Sequence, residues 1–112
     1  TFGRSNSAYR DATAFGSYND VGGQYSQAFG EVTTWMGLAL AVGTSNTGTA
    51  TNSIIVGNFI TNTIDDSLQI GPNDTAKITV LTGGNVGIGT INPQSQLQIN
   101  SITNPSQILL TS

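Results

Sequence analysis

Cysteine and histidine are both absent from the 112 residues. Their absence removes disulfides, Cys/His zinc sites, Ser-His-Asp and Cys-His nucleophilic arrangements, and the usual general base near neutral pH. It leaves the redox compartment open. Cations are almost missing too: Arg4, Arg10 and Lys77 are the whole set, and the formal net charge is −3. Three positive side chains do not make a phosphate-neutralising patch, so neither nucleic acid nor an anionic membrane surface is an expected partner. Charged residues amount to 8%, against about 25% in an average soluble domain. The six carboxylates (Asp11, Asp20, Glu31, Asp65, Asp66 and Asp74) form no dense cluster, so no enzymatic activity and no cofactor are expected. Long hydrophobic runs are lacking as well. The longest, WMGLALAV at residues 35–42, is far short of the roughly 20 residues of a membrane helix, and no membrane insertion is expected. No signal peptide is visible, and a chain beginning at Thr1 rather than Met is expected of a fragment or a processed product.

Low charge with abundant Gly, Ser, Thr and Asn leaves two classes, disorder or a repetitive β architecture. Disorder normally comes with high net charge and few β-branched residues. Val, Ile and Thr abound here, so ordered β structure is expected. Apolar–glycine pairs recur at Phe2-Gly3, Phe15-Gly16, Phe29-Gly30, Val42-Gly43, Val56-Gly57 and Ile70-Gly71, stepping by about 13 or 14 residues. Aligned on the glycines, ATAFG, SQAFG, ALAVG, SIIVG and SLQIG fall into register, with a small residue four before each glycine (Ala12, Ser26, Ala39, Ser53, Ser67). Period-two alternation is a strand, and stretches such as SYNDVGG and TSNTGTA are turns. Strand, turn, strand, turn in about 14 residues is one coil of a narrow β-solenoid, advancing about 4.8 Å per coil. The 13-residue steps are expected to be turns shortened by one residue. A non-repetitive β-sandwich shares the composition but does not explain why the flanking pattern repeats along with the glycines. No helix is expected, because no stretch carries a 3.6-residue apolar stripe.

Three expectations follow for the coil. The glycines, Gly57 and Gly71 among them, end each strand with the positive φ of a tight turn. The interior is filled chiefly by Phe15, Phe29, Leu40, Val42, Ile54, Val56, Leu68 and Ile70. So little burial hardly offsets the ordering of 14 residues at about 1–2 kcal/mol each, which points to an obligate oligomer with small residues at close approach between chains.

On SQAFG (residues 26–30) and SIIVG (residues 53–57), the first 70 or so residues resemble the head repeats of trimeric autotransporter adhesins. That resemblance implies a left-handed parallel β-roll, trimerised about its axis, over residues 1–71. It weakens at Gln69 and around EVTTWMG (residues 31–37), where bulky residues mark a widening or an insertion between coils. The segment GNVGIGTINPQSQLQI (residues 84–99) is similar to one found in phage tail fibres and tail spikes. The matching positions are Gly84, Asn85, Val86, Gly87, Ile88, Gly89, Thr90 and Pro93, with Ile99 in place of Val. In those proteins the segment commonly lies shortly before an endosialidase-type intramolecular chaperone. The resemblance implies an interwoven, triple-β-helix or prism-like region over residues 72–112. It also implies a virion-borne homotrimer that spaces and presents host-attachment elements and contacts a host-surface glycan or protein receptor. The alternative is the head of a trimeric adhesin on a bacterial surface. Because such chaperones release themselves by autoproteolysis after a serine, Ser112 is the expected new C-terminus, against an arbitrary end of the fragment.

GGNVGIGT also invites comparison with a phosphate-cradling loop. The third glycine of a dinucleotide loop would fall at position 92, which is Asn, and Pro93 is followed by the alternating strand pattern SQLQI rather than a helix. No P-loop lysine follows. Asp65-Asp66 invites calcium or a carboxylate pair, but neighbours on a strand face opposite sides and no second acidic cluster lies nearby. A solvated turn before SLQI is expected. Tyr18, Tyr25 and Trp35 are either an aromatic platform for stacking on a glycan or filler at an interface between chains.

Overall fold

A computed structural model describes residues 2–34, 40–72 and 76–101. The described residues are all-β, without helix: β1 (Phe2–Arg4), β2 (Ser7–Ala8), β3 (Thr13–Ser17), β4 (Asp20–Val21), β5 (Gln27–Thr34), β6 (Leu40–Gly48), β7 (Ile54–Asn58), β8 (Thr61–Asn62), β9 (Leu68–Gly71), β10 (Ile78–Val80), β11 (Val86–Ile88) and β12 (Leu97–Ile99). They wind as a β-solenoid of about six turns with coils of about 14 residues. One wall is the parallel stack β1-β3-β5-β6-β7-β9, in which Gly3, Gly16, Gly30, Gly43, Gly57 and Gly71 lie in one row. The opposite wall is built from β2, β4, the second halves of β5 and β6, and β8. The molecule is elongated, 49 × 25 × 24 Å.

The chain turns elsewhere than expected. Gly71 ends β9 as expected, but Gly3, Gly16, Gly43 and Gly57 sit inside the wall strand, and their corner comes two residues later, at Ser5, Tyr18, Ser45 and Phe59, all with φ between 54° and 57°. A second left-handed corner recurs at Asp11, Tyr25, Asn52 and Asp66. Gly57 has φ 154°, nearly extended, and Gly71 has no positive φ. What demands glycine in the row is close approach. A Cβ on Gly43, where φ is 129°, would run into the carbonyl oxygen of Gly57 in the next coil. The short steps are shortened turns, as expected. Glu31 pairs with Thr44 and Val32 with Asn46, so Ser45 has no counterpart. The third coil therefore omits its first corner residue, and β5 runs straight through for eight residues.

The interior is the reverse of the expected one. Ala14, Ala28, Ala41, Ile55 and Gln69, two residues before each glycine, point inward and are buried. Ser26, Ser53 and Ser67 join them, so these small residues fill the coil rather than an interface. Val21, Ile60 and Asn62 close the interior from the far side. Phe15, Phe29, Val42, Ile54 and Val56 are exposed, and Leu40, Leu68 and Ile70 are only half-buried. One physical fact underlies the inversion. Alternation fixes two faces without saying which looks inward, and a one-residue shift exchanges them. The walls enclose Ala and Ser in most coils and Ile55 and Gln69 in two, while Phe2, Phe15, Phe29 and Phe59 all stay exposed.

Asparagine holds the corner. Asn46, three residues after its glycine, donates through Nδ2 to the carbonyls of Val42 (3.2 Å) and Gly57 (2.7 Å). Its Oδ1 accepts from the Ile60 N–H at 3.0 Å. Asn6 repeats the arrangement with Phe2, Gly16 and the Asn19 N–H. Each side chain thus satisfies backbone groups that the corner would otherwise orphan in the interior. Among the described residues, Thr79 Oγ1 is the one buried side-chain polar atom without a partner.

After β9 the winding changes. β10 runs antiparallel to β9, β11 antiparallel to β10, and β12 parallel to β11. The inward column continues as Gln69, Thr79 and Gly87. These ladders run within one chain.

Candidate functional site: an uncovered apolar wall and its corner

The outer face of the long wall is the largest chemical feature of the molecule. One column reads Phe2, Phe15, Phe29, Val42, Val56, Ile70, Ile78, Ile88, Ile99, each paired with the next across the ladder. A second reads Thr13, Gln27, Leu40, Ile54, Leu68, Val80, Val86, Leu97. The first is apolar along all nine strands of the ladder, and the second becomes so from β6 onward. Nine strands at about 4.8 Å give an apolar strip about 38 Å long. At one end Phe2 stacks on Phe15 with ring centroids 4.8 Å apart, and Phe15 meets Phe29 at 6.1 Å with the rings tilted by 30°. A third, polar column borders the strip, with exposed Arg4, Ser17, Glu31, Thr44 and Asn58 following their glycines.

The segment that resembles a phosphate loop is a hairpin followed by a crossover. Gly84 (φ 83°) donates to the Leu81 carbonyl at 2.9 Å and turns β10 into β11. Val86 and Ile88 enter the two outer apolar columns while Gly87 faces inward. A Cβ on Gly87 would strike the Thr90 carbonyl, so the crossover loop fills the space a side chain would take. Asn85 Nδ2 holds that loop through the Pro93 carbonyl at 3.1 Å, and the Gly89 N–H donates to Lys77 O at 2.9 Å. Glycine N–H groups that would face a phosphate are used within the fold, and no helix follows. This accounts physically for why Gly84, Asn85, Gly87, Gly89 and Pro93 occur together.

Asp65-Asp66 lies in the exposed turn before β9, as expected. Asp65 Oδ1 accepts the Thr51 N–H at 2.7 Å, and Asp66 Oδ1 accepts from Asn52 Nδ2 at 3.0 Å. The pair braces the second corner against the preceding coil. No group of three or more His, Cys, Asp or Glu that could hold a metal occurs among the described residues, nor any helix long and apolar enough to cross a membrane.

The aromatic candidates separate. Tyr18 follows β3 at the first corner, and Tyr25 precedes β5 at the second, so they flank opposite ends of the wall strands and share no platform. Trp35 and Ser112 lie outside the described residues. Sequence reasoning missed Phe59, which stands on the same corner as Tyr18. The signal was available: GSY at 16–18 and GNF at 57–59 align on their glycines. No known protein family, curated protein or solved structure matches the chain.

Proposed function

We propose that this chain is a structural segment of a homotrimeric phage tail fibre or tail spike, a shaft or head that spaces and presents host-attachment elements. The observation that carries the reading is the apolar outer wall. A single chain leaves it open along its length, and an exposed apolar strip of this extent marks a surface made to be covered. Copies of the same chain are the natural cover, because every coil repeats the columns at the same spacing and rotational symmetry matches like to like. The interior, mostly Ala and Ser with Val21, Ile55 and Ile60, buries too little apolar surface to hold the coils alone. The number three, the virion setting and the interwoven assembly of the C-terminal part rest on the resemblance of residues 84–99 to fibre and spike segments. The work is mechanical, with no catalysis and no cofactor, and the ligand side of attachment is a host-surface glycan or protein.

A second reading is the head of a trimeric bacterial adhesin at the cell surface, favoured by the Ser-x-x-apolar-Gly coils at 26–30 and 53–57. Determining the coding sequence on either side tests both. An intramolecular chaperone downstream is expected for the fibre. An outer-membrane anchor barrel downstream moves the assignment to the adhesin. A catalytic domain interrupting the coils of a monomeric protein overturns both.

A further inference from the structure

We propose that the first corner of the solenoid is a binding ridge for a short linear oligosaccharide, with Tyr18 and Phe59 as its two stacking posts. Both residues adopt the left-handed backbone conformation, φ 57° and 55°. Asn, Asp or Gly takes that conformation cheaply, while a bulky aromatic takes it at a cost in strain. Burial does not offset the cost, since Tyr18 is 57% and Phe59 is 56% exposed. The conformation is imposed from beneath: the Tyr18 N–H donates to Arg4 O and the Phe59 N–H to Thr44 O, both at 2.9 Å. Serine fills the same corner at Ser5 and Ser45, so the fold itself does not ask for an aromatic there.

The two rings stand three coils apart, about 14 Å along the axis. Between them the corner carries no aromatic residue. The third coil omits its corner residue altogether, and the fourth carries only Ser45. Exposed Ser17, Glu31, Thr44 and Asn58 run alongside, offering hydroxyl, carboxylate and amide groups at one per coil. Two exposed aromatic side chains beside a polar column suit a ligand with apolar C–H faces and many hydroxyls, which is the chemistry of a pyranose chain. The polar column also separates the ridge from the apolar wall, so copies covering the wall meet their rim before reaching Tyr18 or Phe59. Tyr25 has the same backbone strain (φ 60°) but stands on the other corner with Asp11 and Asn52, away from this polar column. The proposal takes its biological setting from the host-attachment reading above, and it is measured independently of it.

The test is saturation-transfer difference NMR on the full chain with maltotriose, cellotriose, mannotriose and chitotriose as probes. Transfer to ring C–H protons of at least one trisaccharide is expected. Tyr18→Asn and Phe59→Asn should each weaken that binding by about 3- to 10-fold. Because Asn tolerates the left-handed corner, both variants should also raise Tm by about 2–5 °C. Tyr25→Asn should raise Tm alike and leave binding unchanged. No transfer from any of the four probes overturns the proposal, as does binding indifferent to both variants. A fall in Tm on replacing Tyr18 or Phe59 by Asn would make them packing residues and overturns it too. Sedimentation on the same samples keeps the two readings apart: a monomer that binds leaves the ridge standing and removes the trimer.

Discussion

The first three coils and the last part of the molecule build the same wall from opposite ingredients. At the N-terminal end the outer column is aromatic (Phe2, Phe15, Phe29), the second column is polar (Thr13, Gln27) and the interior residues are Ala14 and Ala28. From β6 onward both outer columns are aliphatic; the interior residue is still Ala41 in β6 and becomes Ile55, Gln69 and Thr79 in β7, β9 and β10. The outer face stays apolar throughout, whereas the interior residue varies from Ala in β3, β5 and β6 to Ile in β7 and Gln in β9. The corners change in step: Asn6 and Asn19 staple the early coils, whereas Ile60 takes that position in the fifth. The difference shows that coil shape is held by backbone ladders, the glycine row and the asparagine corners. The size of the interior residue varies around that frame.

Substitutions break this comparison in a definite order. Val56→Asp places a carboxylate in the aliphatic part of the wall, where assembly would bury it unpaired in every chain. Loss of the oligomer and of cooperative melting is expected, read by sedimentation and circular dichroism, while Ser17→Asp on the polar column leaves both unchanged. Gly43→Ala comes next, because its Cβ meets the backbone carbonyl of Gly57 at a positive φ. A cost well above the 1 kcal/mol typical of a glycine at positive φ is expected in thermal melts. Gly84→Ala, whose Cβ would meet nothing within 4 Å, should cost only about that 1 kcal/mol. Asn46→Ala removes the staple under the fourth corner and exposes the Ile60 N–H and Gly57 carbonyl as unmet buried groups. A loss of about 1–3 kcal/mol per chain is expected by urea denaturation. The smallest effect should come from Gln27→Leu, which extends the second apolar column by one coil toward the N-terminus. A gain of up to about 1 kcal/mol per chain is expected if that column is covered in the assembly.

Much of the fold was legible because glycine marks each coil where a neighbouring carbonyl leaves no room for Cβ. The repeat length, the register of the stacked strands and the shortened turns could all be read from that row. The direction of the wall could not. Both parities of SIIVG and ALAVG are apolar or small, so alternation alone gives no sign of which face turns inward. That sign is set by the corners at Ser5, Tyr18, Ser45 and Phe59, whose left-handed backbone carries little sequence signature when the residue is Tyr or Phe. The same gap hid Phe59 from the candidate site, whereas Asp65-Asp66 was read correctly as a turn because paired acids before an apolar strand favour one. The return of the chain as β10 and β11 was obscured because GGNVGIGT was read by resemblance before its Gly-Gly-Asn was read as a hairpin turn.

The central claim is that the apolar outer wall exists to be covered by other copies of this chain. Sedimentation equilibrium of the purified chain tests it most directly. The account expects one species of three times the 11.6 kDa chain mass, persisting on dilution and melting as a unit. A stably folded monomer of 11.6 kDa with its wall strands intact would contradict it.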